Sequence, residues 1–235
     1  MSNRPYRVRP CRVRPCRVRP CRVQLRAGRL LALLGLAGAA HAQPLPGTTP
    51  RSAATPETRH YAIEVAGVRV GTMTATRQFQ PGTTEVVSTL ISDVKVTFLF
   101  YHLKIYYKVI NRVRGGQLLL STVEAHTNQG DFSSRAEWLG DHYAIRADQY
   151  KHHYQATEKQ PITYTVTDMF FGEPGPHATA FAEYFGDYFT VARAPDGTYR
   201  AHRDGREDEY RYANGQLITL IKKNPLKNFV IRLLP

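Results

Sequence analysis

Beyond Cys21 the 235-residue sequence contains no cysteine. That absence excludes a disulfide-stapled scaffold, a thiolate nucleophile and a cysteine-ligated zinc site from everything downstream. Acid is missing from the amino-terminal part: residues 1–42 hold no Asp or Glu, although ten arginines lie between Arg4 and Arg29. A long apolar run is lacking too. Leu30–Ala40 spans only 11 residues, where a membrane-crossing helix needs about 20. No Gly-x-Ser-x-Gly elbow occurs, and Gly115-Gly116 is not followed by the Lys-Ser/Thr of a phosphate loop, which disfavours serine-hydrolase and nucleotide-triphosphate chemistry.

The charge that remains is unevenly placed. The whole chain carries 32 Lys and Arg against 19 Asp and Glu, a net charge of +13. Setting aside the ten early arginines leaves 22 basic against 19 acidic residues from Gln43 onward, a net of +3. A region so close to neutral has no extended basic field for phosphates, so no nucleic-acid partner is expected.

The first 42 residues combine a basic stretch, the 11-residue apolar run and the small-x-small ending Ala40-His41-Ala42. That order is expected of a secretory signal peptide cleaved between Ala42 and Gln43. Before it, Arg-Val-Arg-Pro recurs every five residues with Cys11, Cys16 and Cys21 in register. Proline at every fifth position forbids a regular helix, so the repeat is either a long basic leader or sequence upstream of the true translation start. The three cysteines lack the His or Cys-x-x-Cys partners of a metal site. No cysteine follows the apolar run to take a lipid. The mature form is therefore expected to be exported, periplasmic or extracellular, with no transmembrane segment.

Residues 43–59, rich in Pro, Gly, Ser and Thr, read as a flexible leader. Residues 60–235 are of a length for one domain, and period-2 alternation dominates them. Along 99–113, Leu99, Tyr101, Leu103, Ile105, Tyr107 and Val109 alternate with His102, Lys104, Lys108 and Arg112, the pattern of a long strand buried on one side. Shorter alternations occur at Tyr61–Val65, Tyr143–Ala147, Ile162–Val166 and Phe229–Leu233. Gly115-Gly116, Gly140-Asp141, Asp204-Gly205 and Asn214-Gly215 supply turns between strands. The class is all-β: an antiparallel meander of ten to twelve strands forming a curved open sheet or a partly closed barrel. At most one short helix fits, around Ala178–Tyr184 after Glu173-Pro174-Gly175-Pro176.

The set Tyr61-x-Ile63, Gly67-x-x-x-Gly71, Phe170-Phe171-x-Glu173-Pro174, Phe181-x-Glu183-x-x-Gly186 and Tyr210-x-Tyr212-x-Asn214-Gly215 resembles a family of exported bacterial all-β proteins catalogued as a domain of unknown function. The resemblance implies secretion and a curved-sheet or half-barrel envelope protein. It brings no catalytic residues.

Candidate sites are few. Glu173 and Glu183 flank His177, but Glu173-Pro174 reads as a turn and Glu183 as an exposed position on the short helix, so no catalytic residue is assigned. His152-His153 with His142 and Asp148 are suitable metal donors, yet neighbours on a strand point to opposite faces and the group reads as a solvated strand end; no metal or other cofactor is expected. Tyrosine is in excess, 14 in the chain, and suits both sheet packing and amphipathic ligands. Tyr101, Tyr107, Tyr143 and Tyr164, with Tyr106 beside them, are the candidate ligand-binding residues of a groove. The expected function is non-enzymatic binding of a lipid or other apolar or amphipathic molecule in the cell envelope. The alternatives are an envelope structural or protein-interaction domain and an enzyme of unknown type.

Overall fold

The computed structural model describes residues 55–98, 101–128, 130–149, 152–223 and 228–235; the side chains of Phe98 and Tyr101, the Ala42–Gln43 junction and the arginine repeat lie outside the described residues. Strands follow one another in chain order: β1 Glu57–Val65, β2 Val68–Phe79, β3 Glu85–Phe98, β4 Tyr101–Arg114, β5 Gln117–Thr127, β6 Gly130–Trp138, β7 Tyr143–Gln149 and β8 His152–Glu158. After a connector containing a single 3-10 turn (Asp168–Phe170) come β9 Thr179–Ala182, β10 Asp187–Arg193, β11 Tyr199–Arg203, β12 Arg206–Ala213, β13 Gln216–Lys222 and β14 Phe229–Leu233. All belong to one sheet in the order β8-β7-β6-β5-β4-β3-β2-β1-β14-β13-β12-β11-β10-β9. Each neighbouring pair is antiparallel. The strand expected at 99–113 is β4, with Val109 and Asn111 buried and His102, Lys104 and Arg112 exposed.

Four hairpins turn on two residues, both with positive φ: Ala66-Gly67, Gly115-Gly116, Asp204-Gly205 and Asn214-Gly215. That is the type I′ geometry whose twist matches the strands it joins. The register shifts opposite Ile63/Glu64, Arg112/Val113 and Arg211/Tyr212, where Val70, Leu119 and Ile218 are the added residues of β2, β5 and β13; an added residue of this kind bends its strand. Gly71 lies opposite Val94 in β3, where a Cβ would stand 2.2 Å from the Asp93 carbonyl oxygen. Only a residue without a side chain permits so close an approach.

The sheet does not close into a barrel, because its edges β8 and β9 share no ladder. Side chains of β6 and β7 instead meet β9 and the turn that follows it. Ser134 Oγ donates to the Tyr184 carbonyl at 2.8 Å, and Gln149 Nε2 donates to Ser134 Oγ at 2.7 Å. Phe181 is buried in one apolar cluster with Tyr143, Ile145 and Ile162. Gly186 fits against Ile145, whose Cγ2 would lie 2.8 Å from an added Cβ.

Three local expectations are corrected. Ala178–Tyr184 is not a helix: it contains β9, which pairs with β10, and the one helical turn lies earlier. Ile162–Val166 alternates yet forms no ladder strand, only a bridge from Thr165 to Phe181. The described strands number fourteen rather than ten to twelve.

Residues 159–178 lead from β8 to β9 and cap one end of the curved sheet. Backbone carbonyls there are held by the sheet: Arg59 donates to Phe170 O at 2.8 Å and to Phe171 O at 3.1 Å. Tyr212 donates to Met169 O at 2.8 Å, and Arg77 pairs with Asp168 at 2.8 Å while its guanidinium lies 4.2 Å from the Phe171 ring centre. Met169, Phe170 and Phe171 are thereby buried in the main core with Tyr61, Met73 and Leu217.

Candidate functional site

Capping one end leaves a hollow inside the curve. Its volume is about 430 Å³, within the roughly 300–1,000 Å³ of small-molecule sites. Ile63, Met73, Leu90, Val94, Leu220 and Ile231 form one wall. Val166 and Phe170 of the connector and Phe185 and Phe189 near β10 face them. Alternation explains why the walls are aliphatic, since every second residue of a one-sided strand points inward. Exposed Arg206, Lys222 and Lys223 stand among the residues that line the hollow. Lys222 is paired with Asp208 at 2.9 Å, and Lys223 with Glu207 and Glu209. Arg206 lies over Phe185 at 5.1 Å.

Three buried polar residues, Ser92, Glu183 and Asp208, interrupt the apolar lining. Glu183, just after β9, lines the hollow and is only 4% exposed. Its Oε1 accepts from Asn111 Nδ2 at 2.8 Å and from the Thr167 backbone N–H at 3.0 Å. Asn111 Nδ2 also donates to Thr165 Oγ1 at 3.2 Å, and Asp168 Oδ2 accepts from the Thr165 hydroxyl at 2.8 Å. Burial pushes the Glu183 carboxyl above its ordinary value despite these donors, because a desolvated charge costs more than they return. Around it Asn111 Oδ1 and Thr167 Oγ1 are buried without a hydrogen-bond partner among the described residues, as are the hydroxyls of Tyr164 and Tyr210. Buried polar atoms are normally satisfied, so this half-filled network is an exception in need of a cause.

The four candidate tyrosines do not converge. Tyr107 lines the hollow, and burial, with the Glu183 charge second, raises its hydroxyl well above the usual value. Tyr143 is fully buried elsewhere, its hydroxyl donating to Leu118 O at 2.6 Å and accepting from Ile162 N–H at 3.2 Å. Tyr164 belongs to the connector and stacks on His177 with ring centres 4.1 Å apart. That pair lines a second cavity of about 430 Å³ with Pro161 and Tyr188. Tyr101 begins β4, but its side chain lies outside the described residues. Tyr106 points away from the hollow and stacks on His126 at 5.8 Å.

Glu183 is also a correction: expected exposed on a helix, it is buried just after a strand. It sits in the turn that follows β9, where strand alternation gives no guide to the face a side chain takes. The histidines form no common site. His153 contacts Asp148 at 3.2 Å and His142 contacts Asp141 at 2.6 Å, and no group of three metal-binding side chains exists among the described residues. No helix among the described residues is long and apolar enough to cross a membrane.

The family model for a domain of unknown function, DUF6134, matches residues 61–234. The chain belongs to the DUF6134 family. No curated protein and no solved structure matches it. The matched residues of this DUF6134 chain run from Tyr61 in β1 through β14, so the domain includes the hollow, its cap and Glu183.

Proposed function

We propose that this DUF6134 domain is a non-catalytic binding module that takes up an apolar or amphipathic molecule in the hollow of its curved sheet. The carrying observation is the cavity of about 430 Å³ with aliphatic and aromatic walls. A well-packed interior leaves few voids larger than a water, so an apolar space of this size favours a ligand over a filled structural core. Exposed large apolar residues are scattered over the sheet at Val68, Phe79, Ile91, Leu139 and Ile218. Isolated residues of that kind need no protein partner to explain them.

Export to the periplasm or beyond is part of the proposal and rests on residues 1–42, with their basic stretch, apolar run and Ala-His-Ala ending. In that compartment the ligand would be a lipid or another membrane-derived apolar molecule. Native mass spectrometry of the purified protein is expected to show a retained lipid, and a fluorescent apolar dye should bind at one saturable site. A clean protein mass together with no saturable dye uptake would overturn the reading. Amino-terminal sequencing of the exported form should begin at Gln43; retention in the cytoplasm would remove the export part alone.

A further inference from the structure

The β3–β4 hairpin runs past both of its neighbours. Its last rung with β2 is Val94–Gly71 and its first with β5 is Ile105–Thr127. Residues 95–104 pair only with one another, as Lys95–Lys104, Val96–Leu103, Thr97–His102 and Phe98–Tyr101. Asn128 Nδ2, donating to His102 O at 2.8 Å, ties one side of this projection to the end of β5. Val94 and Ile105 line the hollow, and half-buried Val96 and Leu103 continue the same face beyond them. Lys95 and Lys104 stand exposed on the opposite face. The ten residues 95–104 contain no acid, and six of them are Val, Leu, Phe or Tyr, so the projection is apolar with lysine as its only full charge. Directly opposed like charges destabilise a ladder. Lys95 meets Asp93 only at 4.0 Å, and Lys104 has no ion pair among the described residues, which leaves this rung in want of an anion.

We propose that the projecting hairpin docks the protein on a membrane surface bearing anionic head groups. This goes beyond the binding reading and does not depend on what fills the hollow. The Lys95–Lys104 rung lies three rungs from Phe98–Tyr101, which is about 10 Å at about 3.4 Å per residue. Interfacial elements sink roughly 5–10 Å into the boundary between head groups and acyl chains. An end-on approach to that depth sets both lysines among the phosphates while Val96 and Leu103 enter the apolar boundary. The unpaired outer edges of the hairpin stop it there, because head-group water serves backbone groups that hydrocarbon would strand. A protein partner fits less well: lysine on an edge opposes strand addition, and lysine is depleted from protein interfaces.

The test uses the full-length protein and vesicles of phosphatidylcholine and phosphatidylglycerol at about 7:3 with bromine-labelled acyl chains, which quench a nearby indole. Thr97→Trp places the reporter on an exposed position of the projection, and Phe79→Trp places a control on an exposed position opposite Val86, towards the other end of β3. Quenching is expected at the first position and to be at least about fivefold weaker at the second. Lys95→Gln with Lys104→Gln should raise the lipid concentration for half-quenching at least about tenfold, since each lysine near an anionic surface is worth about fivefold. Vesicles of phosphatidylcholine alone should show the same loss. Equal quenching at both positions, as the arginines between Arg4 and Arg29 alone would give, overturns the inference. So does an absence of quenching, or quenching indifferent to the lysines. A lipid-independent dimer that buries the Thr97→Trp reporter also overturns it, by assigning the hairpin to a second copy. Dye uptake by the hollow is read separately, so failure here leaves the binding reading intact.

Discussion

Tyr143→Phe isolates one oxygen whose surroundings are fully specified. The hydroxyl donates to Leu118 O at 2.6 Å and accepts from the Ile162 N–H at 3.2 Å, and Tyr143, Leu118 and Ile162 are all essentially buried. The Leu118 N–H in turn donates to Ile162 O at 2.9 Å, so these contacts tie the start of the 159–178 connector to β5. Removing the oxygen forfeits its two hydrogen bonds and a longer one from Gln117 Nε2 at 3.4 Å, and leaves a buried N–H unsatisfied, for a total loss of about 2–4 kcal/mol. For a domain of this size each kcal/mol shifts Tm by roughly 2–4 °C, which gives a drop of about 4–16 °C. Urea unfolding should show the lower midpoint with an unchanged slope, as expected when stability alone changes. Hydrogen exchange should rise first in the connector. Tyr107→Phe is the control: its hydroxyl has no partner among the described residues, so the ligand-free protein should lose less than about 0.5 kcal/mol. A Tyr143→Phe loss below that same level would refute the reasoning, because the hydroxyl would then not be holding the connector.

Two further predictions concern Glu183 and the glycines. Burial raises the folded-state pKa of Glu183, so its contribution to stability is fully present below the ordinary carboxylate value and is lost as pH rises through the raised one. Glu183→Gln, which keeps an acceptor for Asn111, should flatten that decline in a pH series of unfolding free energies; parallel curves for the two proteins would count against a buried neutral acid. Gly71→Ala should cost about 3 kcal/mol or more, since its Cβ would overlap the Asp93 carbonyl. Gly67→Ala, at φ +81° in open space, should cost only about 1–2 kcal/mol, and similar losses for both in denaturant melts would contradict the packing described for β2 and β3.

The architecture was legible where the signal is local. Alternation located β4, and Gly115-Gly116, Asp204-Gly205 and Asn214-Gly215 marked hairpins, because a two-residue turn with positive φ restricts residue choice at its own position. Chain-order connectivity followed from those short turns. Ala178–Tyr184 misled because Ala, Glu and a preceding proline break are also the ingredients of a short helix; its extended form comes from pairing with β10 and from Phe181 bridging to Thr165. Ile162–Val166 alternated for a related reason: the connector is extended and buried on one side, and alternation reports burial without reporting a ladder. The buried network around Glu183 was hidden because Asn111, Thr167 and Glu183 come from β4, the connector and the turn after β9. Only the curl of the sheet brings them together. Of the tyrosines chosen by residue type, Tyr107 alone is shown lining the hollow, since the type does not report which face or which cluster a ring will join.

The pairing of β1 with β14 carries a consequence for how this protein assembles. The sheet's outer edges come from mid-sequence, while its middle is sewn from the first and last described strands, with Arg232 and Glu64 in contact across 168 positions. Every other ladder joins sequence neighbours. Two meanders, β1–β8 and β9–β14, can therefore zip up independently through low-cost local loops, and one long-range closure must then unite them. Deleting β14 would sever the sheet at its centre rather than trim an edge. Conversely, β1 and β14 lie side by side, so a short linker between them, with new termini opened elsewhere in the meander, would give a circular permutant whose formerly slowest contact had become a local hairpin.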